Sequence, residues 1–134
     1  MESISKRRLS RRVLVLEDEY VIAEAICAAL EEEHFTVAGP YGFLTKAVFK
    51  ESQMKIDAAV IDLNLHGEMA YQFIDHLLDQ SIPLVITTGY GRDSIPARFA
   101  KCPIVAKPTD PEVIVAKLRQ VLASKCSARR EDLH

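Results

Sequence analysis

Three carboxylates, one hydroxyl group and one ammonium group stand at the ends of short apolar runs in this sequence. They are Glu17 and Asp18 after the first run, Asp62 at the end of the third, Thr88 at the end of the fourth and Lys107 after the fifth. Such runs are typical of strands buried on both faces of a parallel sheet. Because the carboxyl ends of parallel strands meet at one edge of the sheet, where open α/β folds bind their ligands, we expect these side chains to lie close together.

The crowding of acids at this edge predicts a bound cation. Two carboxylates ~5 Å apart repel each other by roughly 3 kcal/mol at an effective dielectric constant near 20. Mg²⁺ fits the cluster, since it takes oxygen ligands and keeps waters or phosphate oxygens in its coordination shell. Zinc is disfavoured because no His or Cys belongs to the cluster, and Ca²⁺ is disfavoured because the sequence has no loop of alternating acids.

Together these groups have the chemistry for transfer of a phosphoryl group to a carboxylate. Asp62 would be the nucleophile, Mg²⁺ and Lys107 would neutralise the phosphoryl oxygens, and Thr88 would donate a hydrogen bond to one of them. A plainer interpretation of single residues stays open. Asp62, which is followed closely by an Asn, could simply turn the chain, and the acids after the first strand suit the positive end of the next helix.

The remaining pattern predicts the elements that position these groups. Strands are expected at 13–16, 35–38, 57–63, 84–88 and 104–106, and helices at 20–33, 44–51, 69–80 and 111–124. In the first helix the buried apolar stripe begins at Val21 and ends at Leu30. Between the last two strands, at 92–102, only a short helix fits, because Pro96 is tolerated in a first turn but not in a helix interior.

Strand and helix alternate along the chain, which predicts right-handed βαβ crossovers and a parallel sheet covered by helices on both faces. The predicted fold class is therefore a doubly wound, five-stranded α/β sandwich with strand order 2-1-3-4-5. We expect one domain over 12–124, preceded by a flexible basic leader at 1–11 and followed by a charged tail at 125–134.

Composition narrows the function classes. The 134 residues include 17 Lys and Arg against 19 Asp and Glu, a net charge of −2, so nothing indicates nucleic acid or a membrane as the main partner. No apolar stretch approaches the ~20 residues that span a bilayer, and the basic N-terminus lacks the apolar core of a signal peptide, so we expect a cytoplasmic protein. Cys27, Cys102 and Cys126 are far apart and suit reduced thiols.

Four motifs resemble the receiver domains of two-component response regulators, which have a flavodoxin-like fold. They are V-L-V-L-E-D-E at 13–19, V-I-D-L-N-L-H-G at 60–67, I-T-T-G-Y-G at 86–91 and V-A-K-P at 105–108. The resemblance covers about 12–124 and implies that Asp62 is the phosphoacceptor. It further implies three contacts to Mg²⁺ besides that of Asp62: Asp18 directly, Glu17 through water and Asn64 through its backbone carbonyl.

The resemblance also implies roles for two groups on the last two strands. Thr88 matches the switch hydroxyl, Lys107 matches the phosphate-binding lysine, and the peptide bond between Lys107 and Pro108 is expected to be cis. Thr87 competes with Thr88 for the hydroxyl role. We choose Thr88 because it directly precedes the turn at 89–90 and because strand alternation points Thr87 to the opposite side.

The chain departs from the family pattern at positions that concern switching. Many receivers have Phe or Tyr three residues before the lysine, where this chain has Ile104. The T-G-Y-G stretch looks like a subgroup of stand-alone receivers named for a Phe-Ala-Thr-Gly motif. We therefore expect Tyr90 and the segment 92–102 to switch by an order–disorder transition. A Tyr90 ring that only covers the pocket is the alternative.

The resemblance implies protein partners for the domain. The phosphodonor would be a histidine kinase, of HWE type for this subgroup, or a histidine phosphotransfer protein, and the downstream target is an unknown protein. The domain would catalyse only its own phosphorylation and dephosphorylation, so we do not class it as an enzyme. The main alternative is a pseudo-receiver that binds partners without phosphorylation.

Two other classes fit the sequence less well. A haloacid-dehalogenase-like phosphohydrolase carries its nucleophile and a second acid two residues apart on its first strand, whereas Asp62 lies on the third strand and Asn64 is not an acid. A nucleotide-binding flavodoxin-like domain needs glycine and backbone N–H groups after its first strand, where this chain has three acids that would repel phosphate.

Overall fold

The computed structural model describes the backbone of residues 10–132 and the side chains of residues 10–124 apart from that of Arg92. The predicted leader therefore lies outside the described residues except for Ser10 and Arg11. The side chains of the predicted tail, including that of Cys126, lie outside them as well.

The described chain alternates between strands and helices, as the sequence predicts. The strands are β1 (Arg12–Leu16), β2 (Thr36–Tyr41), β3 (Ala58–Asp62), β4 (Asn64–Leu65), β5 (Glu68–Met69), β6 (Leu84–Thr88) and β7 (Ile104–Ala106). The α-helices are α1 (Tyr20–Glu32), α2 (Lys46–Gln53), α3 (Tyr71–Asp79) and α4 (Pro111–Asp132).

Five of the strands form one parallel sheet in the order β2-β1-β3-β6-β7. This confirms the predicted order 2-1-3-4-5, because β4 and β5 form a separate antiparallel hairpin. The central strand β3 pairs with β1 on one side and with β6 on the other, so that Ile61 lies beside Leu16 and Ile86. The carboxyl ends of β1, β3, β6 and β7 consequently meet at one edge.

Helices cover both faces of the sheet, which confirms the doubly wound architecture. On one face, strand residues such as Ile61 pack with α2 and α3 through Val48, Phe73 and Leu77. On the other face, the alternate strand residues Val13, Val15, Val60 and Val85 pack with Ile26 and Leu30 of α1 and with Ile114 and Leu118 of α4. The central strands are apolar on both faces because both faces are buried.

Two elements extend furthest beyond the bounds expected from the sequence. β2 continues to Tyr41, through the cis peptide bond between Gly39 and Pro40, rather than ending at 38. Proline is tolerated there because β2 is an edge strand, whose open side needs no N–H donor. α4 continues to Asp132 and thus into the predicted tail, since neither Gly nor Pro follows Pro111 to end it.

Smaller differences concern the helices near the site edge. The segment 92–102 contains two single 3₁₀ turns, Arg92–Ser94 and Ala97–Phe99, rather than an α-helix. In α1 the predicted stripe is wrong at its first residue, because Val21 is exposed. The stripe begins instead at the partly buried Ile22, which packs on the core, and includes the buried Ala23. None of the helices in the described residues combines the length and apolar character that would let it cross a membrane. Cys27 and Cys102 are free thiols.

The aromatic contact between α2 and α3 gives a test of the packing. Phe73 is buried, and its ring meets that of Phe49 edge to face, with ring centroids 5.0 Å apart. We expect Phe73→Ala to lower the free energy of unfolding by about 3–5 kcal/mol, because it removes a buried ring and leaves a cavity. Val21→Ala, at an exposed position, should change it by less than about 0.5 kcal/mol. Urea denaturation of both variants measures the difference, and equal effects would contradict the assigned packing.

Candidate functional site

The carboxylates of Glu17, Asp18 and Asp62 meet at the carboxyl edge of the sheet. Glu17 and Asp18 follow β1, and Asp62 is the last residue of the neighbouring β3. One carboxylate oxygen from each lies within 4.8 Å of the others. Glu17 and Asp62 are buried and Asp18 is partly buried. The sequence prediction that these three acids cluster is confirmed.

Lys107 supplies a positive charge to this cluster from the end of β7. Its Nζ donates a hydrogen bond to Oδ2 of Asp62 over 2.7 Å and lies 3.4 Å from Oε1 of Glu17. The Lys107–Pro108 bond is cis, as predicted. The ammonium group therefore lies between the two buried carboxylates rather than in solvent.

A short hairpin contributes backbone N–H groups to the acids. The N–H of Asn64 donates to Oδ1 of Asp62 over 3.1 Å, and the N–H of His66 donates to Oδ2 of Asp18 over 2.9 Å. Gly67 in turn donates its N–H to Oδ1 of Asn64. Neither this hairpin nor the contact of His66 is among the features predicted from the sequence. The available signal was the His66-Gly67 pair, a weak form of the Asn-Gly turn motif.

The environment shifts the pKa of Glu17 upward. Burial raises it from 4.5 to about 7, with a further contribution from the negative charge of Asp62, and the hydrogen bond from the N–H of Glu19 to Oε2 only partly opposes these effects. Oε1 of Glu17 is buried and accepts no hydrogen bond from any residue that the structure describes. This unsatisfied oxygen, facing two other carboxylates, suits a cation ligand.

Asp18 and Lys107 are shifted toward their charged forms. Desolvation alone would raise the pKa of Asp18, but the hydrogen bond from the N–H of His66 and the nearby Lys107 charge outweigh it, so that this pKa is lowered. Desolvation alone would lower the pKa of Lys107, but its bond to Asp62 and the charge of Glu17 raise it. The site therefore holds charged groups at neutral pH.

The carboxylate oxygens of this cluster are suitable ligands for a hard divalent metal ion. The three acids offer oxygen atoms only, their spacing allows a shared ion, and one buried oxygen, Oε1 of Glu17, accepts no hydrogen bond from the described residues. Glu17, Asp18 and Asp62 would hold the ion. The backbone carbonyl of Asn64, which the sequence resemblance adds to this set, stays a predicted ligand.

The two adjacent threonines of β6 lie near the cluster. Both are buried, and the strand register places Thr87 directly beside Asp62 and Thr88 beside Ala106 of β7. Thr88 is tied to the following turn, because its Oγ1 accepts a hydrogen bond from the N–H of Tyr90 over 3.0 Å. The register gives Thr87 a position next to Asp62 that the alternation argument did not anticipate, so the choice of Thr88 stays a prediction.

Tyr90 and Ile104 occupy different positions relative to the site. Tyr90 is 48% exposed, and its hydroxyl accepts a hydrogen bond from the side-chain amide of Asn64 over 3.1 Å. This bond connects the turn after β6 with strand β4 of the hairpin. Ile104 starts β7 and packs at the margin of the core formed with α2 and α3. The switching roles of both residues stay predictions.

The raised pKa of Glu17 gives a prediction for stability in the absence of divalent cations. The folded state holds a proton on Glu17 up to about pH 7, whereas the unfolded state releases it near 4.5. The free energy of unfolding should therefore fall as pH rises from 4.5 to 7, by at most about 3 kcal/mol. The opposite contribution from Asp18 lies below pH 4, since its pKa is lowered from 3.8.

Urea denaturation in chelator at pH 5.5, 6.5 and 8 measures this dependence. Glu17→Gln should lose it and should exceed the wild-type stability at pH 8, whereas the exposed-site control Glu32→Gln should keep the wild-type slope. Identical slopes for wild type and Glu17→Gln would contradict the assignment.

Comparisons with known proteins agree with this geometry. No family model matches the chain. The phosphate regulon transcriptional regulatory protein PhoB of Escherichia coli (strain K12) is 31% identical over 121 residues, which cover 85% of this chain and 52% of PhoB. The chain thus spans about half the length of the curated relatives it matches.

The chain covers a larger share of the solved structures that it resembles than of PhoB. SdrG from Sphingomonas melonis Fr1 is 32% identical, with a TM-score of 0.71 over 85% of this chain and 97% of that chain. A response regulator receiver protein from Sinorhizobium medicae WSM419 shares the fold, with 20% identity and a TM-score of 0.71 over 87% of this chain and 97% of that chain. With its acidic site at the carboxyl edge of a 2-1-3-4-5 sheet, the chain belongs to the receiver domains of response regulators, the phosphoproteins of two-component signal transduction.

Proposed function

We propose that this domain accepts a phosphoryl group on Asp62 in a Mg²⁺-dependent reaction and passes the signal on through altered protein contacts. The observation that carries the proposal is the arrangement around Asp62. One of its oxygens accepts from Lys107 over 2.7 Å, the other accepts from the Asn64 N–H, and two further acids stand within 4.8 Å. A related structure from Burkholderia pseudomallei, 24% identical, has a phosphorylated aspartic acid and a calcium ion, which supports the proposal.

The residues around Asp62 would each have a different role in the phosphoryl transfer. An Asp62 oxygen attacks phosphorus, an O–P bond forms, and the P–N bond to the donor imidazole breaks, with the electron pair staying on the imidazole nitrogen, which then takes up a proton. Lys107 would neutralise the negative charge that develops on the phosphoryl oxygens, and Glu17 and Asp18 would hold the cation. The bound Mg²⁺ would supply positive charge to the phosphoryl oxygens.

The phosphodonor would be a histidine kinase or a histidine phosphotransfer protein. The T-G-Y-G stretch supports membership of the Phe-Ala-Thr-Gly subgroup and, with it, an HWE-type kinase as the phosphodonor. The receiver surface itself would carry the signal. Catalysis would be limited to the domain's own phosphorylation and dephosphorylation. A pseudo-receiver that binds partners without phosphorylation is the alternative.

Intact mass after incubation with acetyl phosphate tests the proposal. The wild type should gain ~80 Da, the mass of one phosphoryl group, in the presence of Mg²⁺ and should gain nothing in excess chelator. Asp62→Ala should gain nothing in either condition. Asp57→Ala is a matched control, because Asp57 caps the start of β1 through the Arg12 N–H, away from the carboxyl edge, and its variant should be phosphorylated. A folded wild type that gains no mass would favour the pseudo-receiver.

The two threonines of β6 allow the hydroxyl role to be tested separately. Thr88→Ala should slow phosphorylation by acetyl phosphate about tenfold, the equivalent of one hydrogen bond of about 1.4 kcal/mol to the phosphoryl group. Thr87→Ala should stay within about twofold of the wild-type rate. Time courses of the mass gain compare the two, and the reverse result would assign the role to Thr87, which lies beside Asp62 in the register.

A further inference from the structure

The turn that connects β4 and β5 has a histidine in a backbone conformation that residues with a Cβ rarely adopt. His66 and Gly67 form a two-residue hairpin turn, and both have positive φ angles, 52° and 86°. Turns of this type favour Asn-Gly or Asp-Gly, because a side chain with a Cβ is disfavoured at positive φ. A contact outside the hairpin is therefore expected to stabilise His66 in this conformation.

Phe43 supplies such a contact. Its ring stacks on the imidazole of His66, with centroids 4.2 Å apart and planes inclined by 10°. Phe43 is 58% exposed, so it is not part of the core, and the imidazole is its stacking partner. The backbone before it runs close to the site, since a Cβ on Gly42 would lie 3.6 Å from Cα of Asp18 and 3.7 Å from Nε2 of His66.

The backbone of His66 connects this stack to the acidic cluster. Its N–H donates to Oδ2 of Asp18 over 2.9 Å, while its ring nitrogen Nδ1 stays 4.0 Å from the same oxygen, too far for a hydrogen bond. The interaction with Asp18 is thus made by the turn backbone, and its direction depends on the left-handed conformation of His66. Contacts of this kind orient a carboxylate for its metal ion.

We propose that the stack of Phe43 on His66 acts as a clamp that positions Asp18 for metal binding. Phe43 lies on the loop after β2 and His66 on the hairpin after β3, and these two strands flank β1, which Asp18 follows. Both are positioning residues, because neither belongs to the group of candidate metal ligands, which is Glu17, Asp18 and Asp62. The inference rests on the proposed function, since it assumes that the three acids hold the divalent cation.

Isothermal titration of the metal-free protein with Mg²⁺, and separately with Mn²⁺, tests the clamp. Phe43→Ala should weaken both affinities about tenfold, in the range found when an interaction that orients a ligand is lost. Phe43→Tyr should restore the wild-type affinity, because a second aromatic ring can stack in the same place. The His66 amide should exchange faster with solvent in Phe43→Ala than in wild type.

A double variant and a matched control separate positioning from stability. In Phe43→Ala/His66→Ala the loss of affinity should be no greater than in His66→Ala alone, since the two rings act as one unit. Phe49→Ala removes a ring that packs on Phe73, so it should lower stability yet leave both metal affinities unchanged.

The possible results distinguish failure of the proposed function from failure of the clamp alone. A wild type that binds neither metal would overturn the proposed function together with the clamp. A wild type that binds, with Phe43→Ala binding equally well, would overturn the clamp alone. Loss of affinity in Phe49→Ala to the same degree as in Phe43→Ala would likewise overturn it, because the effect would then follow stability rather than the contact with His66.

Discussion

Repulsion among Glu17, Asp18 and Asp62 is the interaction on which the rest of the site depends. Three ionised acids and the single Lys107 charge leave two negative charges in a largely buried space, which one divalent cation would neutralise. Backbone donors already stabilise part of this charge, and the proton held by Glu17 up to about pH 7 removes another part. The sheet edge is therefore organised around charge that the apolar core beneath it cannot solvate.

The features that could be predicted from sequence are those with a strong period or a sharp change of polarity. Each central strand is apolar on both faces and either ends on a polar residue or is directly followed by one. The edge strand β7 is likewise followed by Lys107, and this change of polarity was enough to place Asp62 and Lys107 at one edge. The β4–β5 hairpin was missed because two-residue strands carry no periodic signal. Its effect on Asp18 depends on a backbone N–H, which every residue but proline has, so residue type could not reveal it.

The segment between β6 and β7 limits how a switch could operate there. Phe99 is buried, and Arg98 stacks on its ring at 4.5 Å while donating two 3.0 Å hydrogen bonds to Asp75 of α3. The exposed ion pair contributes under about 1 kcal/mol, whereas burial of the ring contributes about 1.5–3 kcal/mol. An order–disorder change is therefore easier at the Tyr90 end of the segment, which is exposed, than at Phe99.

The prolines of the outer strands restrict how other chains can associate with this fold. β2 and β7 are the edges of the sheet, and an open edge is a template on which a foreign strand can add its hydrogen bonds. β2 contains Pro40, and β7 is only three residues long and lies between Pro103 and Pro108. Because proline offers no N–H, neither edge presents a long ladder of donors, and sheet extension and amyloid-like stacking are disfavoured. Partners must recognise side chains on helices and loops instead.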